Sequence, residues 1–207
     1  MKAPSTLIAP QEAAVLALAR ATPLLRARDV VAHGLPSVVL SRLVHAGRLE
    51  RVARGVYGLP GHASSEHHSL AEASIRVDRG VVCLLSALRV HEIGTQAPFE
   101  VWLAVPPNMP NPRLDQPALR IVRMSGAALA EGVAYRSIDG VDVPVFDAEK
   151  TVADCFKFRN KIGLDVAIEA LQDGWRQRKL SMDRLWHYAT VDRVANVMRP
   201  YMESLGT

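Results

Sequence analysis

The sequence predicts an α+β protein: an N-terminal unit of three short helices closed by a hairpin, then a mixed α/β domain with a small central sheet and C-terminal helices. Three observations carry this expectation. Glycines and prolines divide residues 1–60 into three helical stretches and a tight turn. Residues 99–146 hold β-branched runs separated by turn residues, and residues 147–207 return to apolar positions at helical spacing. A chain of 207 residues suits two modest domains, expected at 1–60 and 61–207, with the small, polar stretch 61–65 as the linker.

Each element has a local cause. Pro10 and Gln11 open a helix to about residue 21, with Ala14, Val15 and Leu18 on one face, and Thr22-Pro23 stop it. A second helix is expected over residues 27–33, ended by Gly34 at positive φ. Pro36 stands where a helix tolerates proline, in the first turn of a third helix that runs to Ala46 and is closed by Gly47. Residues 48–52 and 56–60 then suit two short strands around Gly55.

Beyond the linker, the pattern predicts a helix over 66–77, a strand at 81–83 and a helix capped by Ser86 that runs to His91. Strands follow at 99–105, 119–124 and 133–138, with a proline-rich loop over 106–117. Asp139-Gly140 turns the last of these into a strand over 141–146. Asp147 caps a helix carrying Val152, Cys155 and Phe156; a second apolar face follows at Leu164, Ala167, Ile168, Leu171 and Trp175. The third, from Val194 to Leu205, should kink at Pro200. Trp175, Trp186 and Tyr188 are expected in the core, and Asp154 and Arg159 as a surface pair.

Charge is unevenly placed. Residues 1–60 carry eight Lys/Arg against three Asp/Glu, a balance of +5, whereas residues 61–207 carry seventeen against eighteen, a balance of −1, so the whole positive excess lies in the first segment. A basic third on a neutral remainder points to a polyanionic partner for that third. Cys83 and Cys155 lie far apart in apolar settings and read as buried thiols of a reducing compartment. No signal peptide and no membrane-length apolar run are visible, so the expected location is cytoplasmic.

On a wheel of 100° per residue, Leu40, Leu43, Val44 and Gly47 share the core side of the third helix. Val38, Ser41, Arg42 and His45 fall opposite, with Ser37 beside them at the helix start. This outer face holds none of the Glu and Lys of an ordinary solvated surface. It suits a major groove: Arg42 for guanine edges or a phosphate, Ser41 for either, Val38 for a thymine methyl. The turn His33-Gly34-Leu35 has the length expected inside a helix-turn-helix. Arg48, Arg51 and Arg54 recur every three residues along the hairpin, positioned for a phosphate backbone or a minor groove. Residues 1–60 therefore read as a winged helix-turn-helix that binds double-stranded DNA, the alternative being the same fold used for protein contact.

The run from Leu40 to Tyr57, Leu-Ser-Arg-Leu-Val-His-Ala-Gly-Arg-Leu-Glu-Arg-Val-Ala-Arg-Gly-Val-Tyr, resembles the N-terminal signature of the AbiEi-type antitoxins. The likeness continues at 86–91 (Ser-Ala-Leu-Arg-Val-His), at 101–104 (Val-Trp-Leu-Ala) and at 145–154 (Val-Phe-Asp-Ala-Glu-Lys-Thr-Val-Ala-Asp). The resemblance implies a transcriptional repressor of its own two-gene operon that binds an inverted-repeat operator. It also implies the antitoxin of a type IV pair, opposing a nucleotidyltransferase-like toxin encoded next door. One position departs from the family pattern: the second helix should begin at Ser or Thr, and Arg26 stands there, a weaker cap by roughly 1 kcal/mol.

Enzyme readings fare less well, and neither a catalytic residue, a cofactor nor a metal site is expected. A restriction-type nuclease would use Asp147, Glu149 and Lys150, but adjacent residues on a strand face opposite sides. A helix cap with a solvated first turn is the better reading. His62, Glu66 and His67 lack a further ligand at metal spacing, and His91-Glu92 lacks the second His of a zinc-protease helix. No nucleophile elbow or phosphate loop is present. A different class stays open: the α/β domain as a protein-binding module that grips a toxin or a second copy, with the C-terminal helix as its surface.

Overall fold

The computed structural model describes residues 10–61, 67–112, 114 and 116–206. The chain is a mixed α/β protein with two sheets. It packs as two units, one running to His68 together with Ser137–Val141, the other formed by Ser69–Arg136 and the chain from Asp142 onward. The expected linker and the His62/Glu66 pair lie almost wholly outside the described residues.

The first unit runs α1 (Pro10–Ala21), β1 (Leu25–Arg26), α2 (Ala27–Ala32), α3 (Val38–His45), β2 (Glu50–Ala53) and β3 (Val56–Gly58). Its core is aliphatic: Val15, Leu16 and Ala19 of α1 meet Val30 of α2 and Val39, Leu40 and Leu43 of α3, with Leu25 and Leu49 closing the edge. The hairpin gains a third strand that the sequence did not suggest. β1 pairs antiparallel with β3, giving the sheet order β1-β3-β2. Two residues are too few for a strand pattern, so only the pairing reveals it.

Both turns around α3 are built the same way. Gly34 at φ +73° donates to Val31 O, and Leu35 N–H reaches back to Val30 O at 3.1 Å. Gly47 at φ +64° donates to Val44 O, and Arg48 N–H reaches Leu43 O at 2.8 Å. Each pair of bonds closes a helix C-terminus and needs the left-handed conformation that glycine adopts without strain. Leu35, just beyond the first, packs on the core.

Along the rest of the chain, α4 (His68–Arg76), β4 (Val81–Val82), α5 (Leu84–Val90), β5 (Val101–Val105), β6 (Leu119–Arg123) and α6 (Ala127–Ala130) precede the hairpin β7 (Val133–Ile138) and β8 (Val141–Phe146). Then follow α7 (Ala148–Lys157), α8 (Arg159–Ile162), α9 (Leu164–Arg176), α10 (Met182–Val191) and α11 (Ala195–Glu203), the last with Pro200 inside it. The five-stranded sheet has the order β6-β5-β4-β8-β7 and is mixed: β4 runs antiparallel to β5 and parallel to β8, and β5 runs parallel to β6. Every residue of β5 is buried, as its unbroken apolar run requires. Helices α5, α7, α9, α10 and α11 share one core with the sheet around Leu88, Phe146, Val152, Phe156, Leu171, Leu185 and Met198.

Several expectations need correction here. Ser86 is not a cap: α5 starts at Leu84 behind Cys83, and Ser86 lies buried within it, its Oγ accepting from Trp102 N–H at 3.0 Å. A serine before an apolar run reads as a cap, and only the neighbouring strand reveals its real partner. Asp147 does cap α7, accepting from Lys150 N–H at 2.8 Å, but the turn that follows is not solvated. Glu149 and Lys150 are both buried. Asp154 is likewise buried and pairs with Lys150, while Arg159 donates to Phe156 O, so the two form no surface pair. Tyr188 is buried, whereas Trp186 is 39% exposed.

The half-buried cap Asp147 and the buried charges of α7 grip α10 along its length. Asp147 accepts from Tyr188 Oη at 2.9 Å and pairs with Arg184 at 2.5 Å. Glu149 Oε1 accepts from Ser181 N–H at the start of α10, and Lys150 reaches Asp192 just past its end. The segment that read as an exposed motif is a helix-to-helix clamp.

Candidate nucleic-acid interface

Ser37, the N-cap of α3, is itself helical (φ −62°, ψ −22°) and makes no side-chain capping bond. The first turn is tightened instead by Val39 N–H to Pro36 O and Leu40 N–H to Ser37 O, both 3.1 Å. Val39, Leu40 and Leu43 are buried, with Val44 at the margin. Val39 was absent from the core side drawn on the wheel, where it falls between the two arcs.

The outer face presents what the spacing placed there. Ser37, Val38, Ser41, Arg42 and His45 are all exposed, Val38 at 52% although it is aliphatic. No carboxylate stands on α3. Among the described residues, Arg42 has no ion-pair partner and the hydroxyls of Ser37 and Ser41 no hydrogen-bond partner.

The three hairpin arginines occupy three different settings. Arg48 is half-buried in the connection after α3, Arg51 is exposed on β2 opposite Tyr57, and Arg54 is exposed in the turn before Gly55. A register shift between Arg51 and Ala53 bulges β2. The spacing of three is therefore a row neither of one strand face nor of one helix. Among the described residues, Arg48 and Arg54 lack an acidic partner. In the second unit, by contrast, Arg76, Arg120, Lys157, Arg176 and Arg184 each sit against a carboxylate.

Arg26 occupies the cap position of α2 in extended conformation with no side-chain capping bond, as its chemistry dictates. Arg28, its side chain 73% exposed in the first turn of α2, is a further surface cation of this unit. The sequence signalled it only through the regional charge balance.

Among the described residues no group of three or more His, Cys, Asp or Glu could hold a metal ion. None of the described helices is long and apolar enough to cross a membrane.

Residues 14–60, the span from α1 through β3, match the family model described as transcriptional regulator, AbiEi antitoxin. The resemblance read from the sequence is borne out over that span, and the first unit carries the pattern of these regulators. No curated protein matches the chain. Among solved structures, the crystal structure of the RV2827C protein from Mycobacterium tuberculosis has a similar fold. Its TM-score is 0.57 at 18% identity, over 88% of this chain and 72% of that one.

Proposed function

We propose that the chain is a DNA-binding transcriptional repressor of its own operon and the antitoxin of a type IV pair, with its first unit acting as a winged helix-turn-helix. The exposed face of α3, free of carboxylates and carrying an Arg42 with no ion-pair partner among the described residues, supports this reading most directly. In the proposed complex α3 enters the major groove of an inverted-repeat operator. Ser37, Val38, Ser41, Arg42 and His45 meet base edges or flanking phosphates, and Arg48, Arg51 and Arg54 lie along the backbone. The regulator-and-antitoxin description of the matching family supports both halves of the role. The domain limits proposed for it remain 1–60 and 61–207.

Binding to DNA from upstream of its own gene, against scrambled DNA across a salt series, tests the repressor half. Preference for the native sequence with a steep salt dependence is the expected result. Equal, weak binding to both DNAs at every salt concentration would turn the first unit into a protein-contact fold.

A second reading, the α/β domain as a module that holds a nucleotidyltransferase-like toxin, is favoured by the groove lined by Met182, Asp183, Trp186, Arg199, Met202 and Glu203. Arg199 lies over the Trp186 ring at 5.3 Å within it. Co-elution with the neighbouring gene product tests direct contact. The nuclease reading loses its residues, because Asp147, Glu149 and Lys150 are engaged in holding α10.

A further inference from the structure

We infer that each operator half-site is read by α3 through one thymine methyl and one guanine edge lying within about two base pairs of each other, with Val38 and Arg42 as the specificity-determining pair. This rests on the DNA-binding reading above and deepens it.

The chemistry offered by α3 is narrow. Adenine is distinguished by a carboxamide that spans N6 and N7, and cytosine N4 by a carboxylate acceptor. The exposed positions of α3 hold neither: Ser37, Val38, Ser41, Arg42 and His45 include no Asn, Gln, Asp or Glu. A guanidinium matches the O6 and N7 acceptors of guanine, and an aliphatic side chain matches the thymine methyl. Serine hydroxyls donate and accept, so Ser37 and Ser41 suit either base or a phosphate without preference.

Two structural facts single out the pair. Val38 is a large apolar side chain held 52% exposed at the first position of α3, where it leaves the core to Val39 and Leu40. Arg42 is exposed with no acidic partner among the described residues, so its donors are available without breaking an internal bond. The two are four residues apart on one face, about 6 Å along the axis. Base pairs stack at about 3.4 Å, so the pair reaches neighbouring or next-but-one positions.

The test uses the full-length protein. Its preferred site is selected from a library of random double-stranded DNA, then remade with uracil for the thymine, which removes only the methyl, or with 7-deazaguanine for the guanine, which removes only N7. Each is measured against the parent, Val38→Ala and Arg42→Ala, with circular dichroism to confirm the fold. The expected result is coupling. Uracil weakens the parent several-fold and leaves Val38→Ala unchanged; 7-deazaguanine weakens the parent about ten-fold and leaves Arg42→Ala unchanged. Independent, additive losses overturn the assignment of these residues while leaving DNA binding intact, as does a selected site without the T/G pair. Failure to bind any DNA at low salt overturns the DNA-binding reading and this inference with it.

Discussion

Lys150 of α7 and Asp192 beyond α10 form an ion pair at 3.3 Å with neither side chain exposed to solvent. Lys150 also pairs with Asp154 one turn along α7, and Lys157 holds the other oxygen of Asp192 at 3.0 Å. The Lys150 ammonium lies 4.7 Å from the Phe146 ring centroid, which supplies part of the solvation it loses. Burying such groups is costly, and removing one partner costs more because the other is left without compensation.

Lys150→Met should therefore destabilise the chain by about 3–5 kcal/mol. Urea denaturation checks this as a lowered midpoint. Adding Asp154→Leu should recover part of the loss, since the stranded carboxyl goes with it. A single variant as stable as the parent would show that the pair contributes nothing.

Asp154 makes stability depend on pH. Burial pushes its carboxyl well above 3.8, against the pull of Lys150, and the neighbouring Asp192 adds to the rise. Among the described residues, one of its oxygens has no hydrogen-bond partner. Because the folded pKa is raised, the folded state keeps a proton that the unfolded chain releases. The resulting stabilisation is complete below the ordinary carboxylate value and is lost as pH rises through the folded one. Cys83 and Cys155 are also pushed up by burial and stay neutral through that window. Asp154→Asn should remove this dependence, seen in urea midpoints from about pH 4 to about pH 9. A constant gap between parent and variant would contradict it.

Ser86 Oγ is the acceptor for the Trp102 N–H of β5, at 3.0 Å. Ser86→Ala leaves Trp102 N–H buried without it and should cost about 1–3 kcal/mol. Faster hydrogen exchange at the Trp102 amide would locate the effect.

Two helices end on arginines in the left-handed conformation, Arg178 at φ +57° and Arg193 at φ +60°. Each makes the closing bonds that Gly34 and Gly47 make in the first unit, with Lys179 N–H to Gly174 O and Val194 N–H to Ala189 O. Arg193→Gly and Arg178→Gly should each stabilise the chain by about 0.5–1 kcal/mol, the relief of strain exceeding the added freedom of the unfolded chain. A lower melting temperature in either would count against the account.

On DNA, Arg54→Ala should weaken all sequences alike and flatten the salt dependence by about one unit of slope. Arg42→Ala should instead lose discrimination between sequences. Titrations at several salt concentrations separate the two, and identical behaviour would place both arginines on phosphate.

Much of the first unit was legible because its signals are local. Gly34, Gly47 and the face Val38–Ser41–Arg42–His45 depend on neighbours within two turns, and the structure sets all of them where the periodicity did. The hairpin turn at Asp139-Gly140 and the cap at Asp147 were legible for the same reason. Ser86 was misread because a capping signal and a buried serine are identical in one dimension.

The sequence by itself determined where helices stop, which side of α3 faces outward and where the basic charge gathers, because backbone sterics, helical period and composition act over a few residues. Only the tertiary structure decided that β1 joins the hairpin, that the sheet is mixed, that Trp186 is half out of the core and that Lys150 is sealed inside it. Lys150 and Asp192 are 42 residues apart. Whether a charge is solvated or clamped depends on which distant element covers it, and no local pattern carries that information.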